Sequence, residues 1–316
     1  MRILVAGATG AVGSRLVSRL VGAGHAVTGL TRSPAKVEGL RRAGAAATVV
    51  DGLDFAAVRA ALLDFRPEVV IHEMTAISNA SDLAHFDRAF AATNRLRTDG
   101  VDYLLAAARE SGARRFIAQS FCGWPFARMG GPVKTEDDAL DPAPPREFRN
   151  SLAAILHLEG AVAGSTTLEG VVLRYGAFYG PGTGLLDRAV VDQIRRRRTP
   201  VIGDGGGWWS FVHVDDAAEA TALAVERGAP GVYNIVDDEP APVREWLPEF
   251  ARMLGAKRPH RIPRWLGRIA AGEHLVVMMT ESRGGSNRKA RSALGWAPAH
   301  PSWRQGFAEI LDAEFG

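Results

Sequence analysis

Three glycines carry the clearest chemical signal. In Gly7-Ala8-Thr9-Gly10-Ala11-Val12-Gly13 they stand three and three apart, after the apolar run Arg2-Ile3-Leu4-Val5-Ala6 and at the head of an apolar-periodic stretch reaching about Gly22. A strand, a tight turn and a helix in that order form a phosphate cradle. The first glycine allows the turn, the second lets a pyrophosphate approach the backbone, and the third lets helix and strand pack closely. The helix start then offers free N–H groups and a positive dipole to the anion. A plain glycine-rich turn is the alternative, and the strand-before, helix-after context argues against it.

The next decision falls at the end of the second apolar run, where the chain reads Leu30-Thr31-Arg32-Ser33 with no acid before Glu38. A carboxylate there would take a ribose 2′-OH, whereas an arginine suits a 2′-phosphate. Arg32 therefore favours NADP(H) over NAD(H), against the alternative of a solvated arginine. Asp51-Gly52 follows the third run and is placed to edge an adenine or to make an ordinary turn. Ser120 ends the fifth run, at the carboxyl edge where parallel sheets hold their ligands. Its alternative is a strand-end serine capping backbone groups.

Five apolar runs must position these residues: 2–7, 26–31, 47–50, 68–72 and 115–119, alternating with helical stretches that include 101–110 and 149–163. That alternation predicts right-handed βαβ crossovers and a parallel sheet. The expected fold is α/β, a Rossmann-type doubly wound parallel sheet with a smaller C-terminal substrate-binding part. Residues 1–173 are expected to form the NADP(H)-binding domain and 174–316 the smaller part, with a segment near 208–226 returning to pack on the core. Asp141 to Pro145 is expected to be a surface loop before the helix at 149–163.

Composition narrows the function classes. The chain has 316 residues, 47% of them hydrophobic, and a formal net charge of only +3. It has ample material for a core and no acidic or basic tail. Arginine heavily outnumbers lysine, which occurs only at Lys36, Lys134, Lys257 and Lys289. The run Arg195 to Arg198 is expected to be a solvated face at a helix end, with no role on nucleic acid. One cysteine, Cys122, excludes an internal disulfide and is expected to be a small buried hydrophobe. With no leader pattern and no apolar stretch of membrane-span length, the expected address is the cytoplasm, with no membrane partner.

Taken together, the chain resembles the extended short-chain dehydrogenase/reductase superfamily, the NAD-dependent epimerase/dehydratase group. Beyond the glycine run, the resemblance rests on Val69-Val70-Ile71-His72, Asn94 and Arg115 to Ser120. It continues through Leu173 to Pro181, Phe211 to Ala218, Val232 to Ile235, Lys289-Ala290 and Leu294-Gly295-Trp296. It implies cofactor contacts from Gly7, Thr9, Gly10, Ala11, Val12, Gly13, Arg32, Asp51, Gly52, Met74, Thr75, Tyr175 and Phe178. It also implies a small-molecule substrate and pairing of two copies through helices near 85–112 and 149–163. His213 with Asp215 and Asp216, which suggests a metal by residue type, becomes a structural strand-to-helix junction, so no metal is expected. His72 becomes a strand-end hydrogen-bonding residue.

The family's catalytic set is a serine or threonine after the fifth strand and a Tyr-x-x-x-Lys on the next helix. Ser120 takes the first place. The four tyrosines, Tyr103, Tyr175, Tyr179 and Tyr233, are followed four residues on by Ala107, Tyr179, Thr183 and Asp237. The pair is therefore absent. If Glu159 matches the glutamate that follows the family lysine, Ser151 and Ile155 stand in the two places, with Ser151 expected to cap the helix it begins. Carbonyl reduction needs a proton as well as a hydride, and losing a general acid costs about 10²–10⁴ in rate. The candidates to replace it are Ser120 through a water, Tyr179, His157 and Lys134, or an acidic hydroxyl on the substrate itself. His157 also reads as a packed histidine, and Lys134 with Glu136 as a solvated turn or a loop over the site.

Phe121, Trp124, Phe126, Phe178, Trp208, Trp209, Met278 and Met279 suggest a flat apolar pocket, with core packing as the alternative for some. Arg283 matches only weakly the phosphate-holding arginine of the sugar-nucleotide members. The expected function is an NADP(H)-dependent oxidoreductase, a ketoreductase on an apolar or aromatic carbonyl with a non-standard or substrate-assisted proton donor. An NAD(P)-dependent epimerase/dehydratase and a non-catalytic NADP(H)-binding sensor are the alternatives.

Overall fold

In the computed structural model, which describes residues 1–77, 86–185 and 188–315, the apolar runs become strands, largely buried except for the edge strand β3. They are β1 (Arg2–Ala6), β2 (Ala26–Thr31), β3 (Ala46–Val49), β4 (Val69–His72) and β5 (Arg115–Phe121). Helices α1 (Ala11–Gly22), α2 (Val37–Arg42) and α3 (Phe55–Phe65) form the first crossovers. Between β4 and β5 lie α4 (Phe86–Ala89), α5 (Ala91–Arg95), a five-residue π-turn at Leu96–Gly100, and α6 (Val101–Ser111). Apolar periodicity gives no sign of that π-turn.

After a short β6 (Val133–Lys134), helix α7 (Arg149–Ala163) leads into β7 (Glu169–Tyr175). The chain then runs through β8 (Ala177–Tyr179), α8 (Arg188–Arg195), β9 (Val201–Ile202), β10 (Trp208–Trp209), β11 (Phe211–His213) and α9 (Val214–Ala224), and returns as β12 (Gly231–Ile235). The sheet order is β12-β7-β5-β4-β1-β2-β3, every pair parallel. The order reverses between β1 and β4, so a crevice opens at their carboxyl ends, as doubly wound sheets require.

Side chains alternate between two packed faces. Ile3, Val5, Ile71, Ile117 and Leu173 meet α1 and α9 on one side; Leu4, Val70, Phe116, Ala118 and Val172 meet α6 and α7 on the other. The seventh strand comes from far along the chain, although Val232 to Ile235 reads in the sequence only as a motif. The remaining elements are β13 (Ala241–Pro242), α10 (Val243–Met253), β14 (Arg261–Ile262), α11 (Arg264–Ala271), α12 (Glu273–Thr280), β15 (Gly284–Gly285), α13 (Arg288–Leu294) and α14 (Trp303–Phe315). They join through two-stranded pairs, β10 with β13, β14 with β9, and β15 with β6, over a core containing Phe211, Trp246, Phe250, Trp303 and Phe307.

Arg115 ties the two ends of the sheet topology together. Buried on β5, it donates to the carbonyls of Ala224, Arg227 and Gly228 beyond α9, while Glu169 at the start of β7 takes its Nε–H at 2.9 Å. Arg115→Met takes its donor from the three carbonyls, while Glu169 keeps Arg114, and is expected to cost about 3 kcal/mol in urea unfolding. A loss below about 1 kcal/mol would show that water takes over all four contacts.

Candidate functional site

The cradle at the end of β1 has no room for side chains. Gly7 lies in the left-handed region at φ +91°, and a Cβ there would sit 2.5 Å from the Glu73 carbonyl after β4. A Cβ on Gly13 would come within 2.2 Å of the Gly7 oxygen. Gly10 N–H donates to that same oxygen at 3.0 Å and closes the turn. No side chain caps α1, whose N-cap is Gly10. The orphan N–H groups of its first turn are therefore left for an anion, and the cradle fits a dinucleotide pyrophosphate.

At the rim, Thr9 Oγ1 lies 3.3 Å from Thr31 Oγ1. Arg32 is exposed at the end of β2 and has no hydrogen-bond or ion-pair partner among the described residues. A second cation escapes notice in the sequence: the Lys36 ammonium reaches back to the Thr9 carbonyl at 3.5 Å from a short 3₁₀ turn at Pro34–Lys36. Asp51 uses its carboxylate to accept Leu53 N–H and so makes a strand-end turn. Gly52 lies against Met74, whose sulfur would be 2.4 Å from an added Cβ, and Thr75 follows half-buried on the same edge.

The floor under the cradle is polar and dry. His72 is buried, accepts Met74 N–H at Nδ1 and donates from Nε2 to the Leu96 carbonyl; burial pushes its pKa down to about 4. Tyr175, expected to touch the cofactor, is instead buried. Its hydroxyl donates to Glu73 Oε1 at 2.9 Å and lies 2.6 Å from Thr221 Oγ1. The correction follows from alternation along β7, which turns Tyr175 toward α9. Phe178 stays half-buried, its ring centroid 5.2 Å from that of Tyr175.

The proposed proton donors are bonded elsewhere or, for Tyr179, enclosed in the core. Ser120 faces α7 and donates at 2.6 Å to Glu159 Oε1, which also takes Nε–H of Arg174 while Oε2 takes Nη2 at 2.6 Å. This buried bidentate pair fixes the hydroxyl away from the opening. Lys134 is buried, with its ammonium on the Met129 carbonyl at 2.7 Å and on Asp138 at 3.2 Å, so it pins a loop. Tyr179 is sealed in the C-terminal core against His213 and Phe307, and burial pushes its pKa well above the ordinary tyrosine value. His157 is on the exposed face of α7, paired with Asp102 of α6 at 2.9 Å. None of these four presents an acid to a ligand.

Ser151 does not cap α7. The Asp87 carboxylate does so, accepting N–H from Asn150 and Ser151, and Ser151 Oγ–H also donates to it at 2.6 Å. Ile155 is buried one turn later in a cluster with Phe86, Trp124, Phe148 and Leu152. The Trp124 and Phe148 rings stack at 4.3 Å.

In front of this cluster lies a narrow recess, partly open to solvent, walled by Phe121, Trp124, Trp208, Trp209 and Met278 with Cys122, Gly123 and Ala177. Its two serines are occupied: Ser282 donates to the Met278 carbonyl at 2.6 Å, and Ser210 accepts Gly285 N–H at 2.9 Å. Phe126 lies elsewhere, beneath the Arg174 guanidinium, and Met279 packs in the C-terminal core. Cys122 is buried, and burial pushes its thiol far up.

Three further groups have structural roles. His213 Nδ1 accepts Asp215 N–H to cap α9, and its ring stacks on His300 at 3.9 Å. The Asp216 oxygens accept Ala299 N–H, His300 N–H and His300 Nδ1–H. The carboxylate of this His213–Asp216–His300 group is thus used in holding a loop. Arg283 spends its two terminal nitrogens on the carbonyls of Glu281 and Arg128 and holds no free fork for a phosphate.

Glu73 gives the site a pH signature. Burial pushes its pKa from 4.5 to about 8. Between those values the folded chain holds a proton that the unfolded chain has released, so stability falls as pH rises through the window. Asp237, also raised by burial to about 8, adds to the same slope. Glu73→Gln is expected to flatten this decline in urea titrations across the window without removing the Asp237 share. An unchanged slope would show that Glu73 is already ionised in the fold.

A Rossmann sheet with a built pyrophosphate cradle, joined to an apolar recess, defines a nicotinamide-dinucleotide-dependent oxidoreductase. The profile of the NAD dependent epimerase/dehydratase family matches residues 3–236, and the chain belongs to that family. The chain is 44% identical to a 3-diazoavenalumate denitrifying reductase from a Streptomyces species, over 97% of this chain and 99% of that one. It is 29% identical to a 4-hydroxy-2-methyl-3-oxo-4-farnesyl-3,4-dihydroquinoline-1-oxide ketoreductase of Stigmatella aurantiaca, over 93% and 87% of the two chains. Among solved structures, a Thermus thermophilus UDP-glucose 4-epimerase in complex with NAD superposes with a TM-score of 0.73 at 27% identity, over 99% and 98% of the chains.

Proposed function

We propose that this protein is an NADP(H)-dependent reductase of a planar aromatic substrate whose reduction draws no proton from the protein, and that the substrate is an aryl diazonium compound losing N₂. The carrying observation is the recess itself. Five aromatic or methionine side chains wall it, and no free hydroxyl, ammonium or imidazole faces it among the described residues. The Streptomyces relative, named for a denitrifying reduction of a diazo compound, supports the same reading.

Bound in the cradle, the reduced cofactor supplies a hydride. Replacing the diazonium group by that hydride balances without an acid: the C–N bond breaks, its electron pair leaves with N₂, and one C–H bond forms. The protein's share is positioning. Trp124, Trp208 and Trp209 offer flat faces to an arene, and the apolar wall keeps competing water from a cationic, water-sensitive carbon. A ketone in the same place would need a proton as well, so only one carrying its own acidic hydroxyl beside the carbonyl would turn over.

The test uses NADPH deuterated at the transferring position with aryl diazonium salts and with hydroxy-ketones. The expected result is one deuterium on the carbon that lost the diazo group, one N₂ released per NADPH oxidised, and no solvent isotope effect on the hydride step. Deuterium found only in a carbinol, with no N₂, would assign the protein to ketone reduction. Oxidation of neither class would leave a cofactor-binding protein without this chemistry.

The preference for NADP(H) rests on Arg32 and Lys36, which bracket the end of β2 beside the cradle. Arg32→Asp, by exchanging a charge-assisted donor for a repelling carboxylate, is expected to weaken NADPH by more than about tenfold and leave NADH unchanged or tighter. Equal loss of both in a fluorescence titration would remove the 2′-phosphate assignment.

A further inference from the structure

One cation at the carboxyl edge of the sheet has no counter-ion among the described residues. Arg97 lies in the π-turn at Leu96–Gly100, and the backbone just before it is fixed where the Leu96 carbonyl accepts His72 Nε2–H at 3.0 Å. That bond holds the turn at the end of β4, and the turn also packs against α7. The Arg97 side chain is half-buried, yet it makes no hydrogen bond and no ion pair among the described residues. Its nearest charged neighbours offer it nothing. It feels the Glu159 carboxylate, but both oxygens of Glu159 are taken by Arg174, and one also by Ser120. It faces His72, which is neutral with both ring nitrogens engaged.

A partly desolvated guanidinium without an acceptor is costly to hold, and π-turns occur frequently at functional sites. Burial lowers the Arg97 pKa to about 10, which still leaves it charged at neutral pH. Its position singles out one ligand region. The pyrophosphate cradle lies at β1, and the 2′-phosphate cations lie at β2. Arg97 lies on the opposite side, between the end of β4 and the Ser120–Glu159 pair at the end of β5. A dinucleotide crossing the crevice from β2 toward β5 brings its nicotinamide half there.

We infer that Arg97 is a positioning residue for the nicotinamide half of the cofactor, donating to its ribose oxygens. This rests on the dinucleotide-dependent reading of the site. Held so, the nicotinamide ring would have a fixed distance to the aromatic recess at Phe121 and Trp124.

The experiment compares Arg97→Met and Arg97→Lys with the wild-type full chain, using three ligands: NADPH, and the adenosine fragments 2′,5′-ADP and AMP, which lack the nicotinamide half. Losing one or two charge-assisted hydrogen bonds in Arg97→Met is expected to weaken NADPH about ten- to thirtyfold. The fragments should bind within about twofold of wild type, since the cradle is untouched. Arg97→Lys should recover part of the loss, and KM for NADPH should rise while KM for the aromatic substrate holds. Unchanged NADPH affinity in Arg97→Met would overturn the assignment. An equal loss of NADPH and fragments would also overturn it, by showing that Arg97 acts only through the fold. Failure of the wild-type chain to bind either NADPH or NADH would instead sink the dinucleotide reading, and this inference with it.

Discussion

The contact on which the rest of the site depends is backbone against backbone. The Gly7 oxygen, the first turn of α1 at Gly13 and the Glu73 carbonyl beyond β4 meet with no room for a single methyl group between them. That approach brings the start of α1 down onto the crevice, where its unpaired N–H groups can act on an anion. It also fixes the spacing of β1 and β4, because Glu73 is both the wall against Gly7 and the acid under Tyr175. The hydrogen bonds below this contact are second in order: they keep a polar floor dry and rigid once the backbones have met.

Beside the same crevice, α7 puts its side chains to structural use. Ser151 is bound to Asp87 and Asn94, and Ile155 is packed among aromatic rings. On the reading proposed above, the surfaces they support would favour an acceptor that takes a hydride and needs nothing else over one whose product is an alkoxide.

The fold was largely legible in the sequence because its signals are local. Apolar runs such as Ile3 to Ala6 must be buried on both faces, and the glycines at 7, 10 and 13 admit few alternatives to a tight turn under a helix. The site was legible only where backbone made it. The surroundings of the side-chain candidates Ser120, Tyr179, His157 and Lys134 were not legible, because their partners are distant in sequence or set by packing. Ser120 is captured by Glu159, Tyr179 by the packing of α14, and Lys134 by the Met129 carbonyl. Lys36, Glu73 and Arg97 lacked any motif, and only the crossing of elements gives them neighbours. Of the aromatic and methionine residues expected at a pocket, Phe121, Trp124, Trp208, Trp209 and Met278 line the recess, whereas Phe126 and Met279 pack elsewhere.

The late return of the chain has a consequence for how the protein is made. Strand β12 completes the sheet beside β7, and α9 covers α1, yet both are synthesised well after the cradle. The recess is later still, because its walls join residues 121–124 to Met278 and Ser282. A nascent chain that has emerged only through β7 exposes an uncovered apolar sheet face and an open strand edge at β7, the surfaces on which growing chains aggregate. Pairings across such sequence separations close slowly. The edge at β7 therefore stays open to pairing with another chain until the seventh strand arrives.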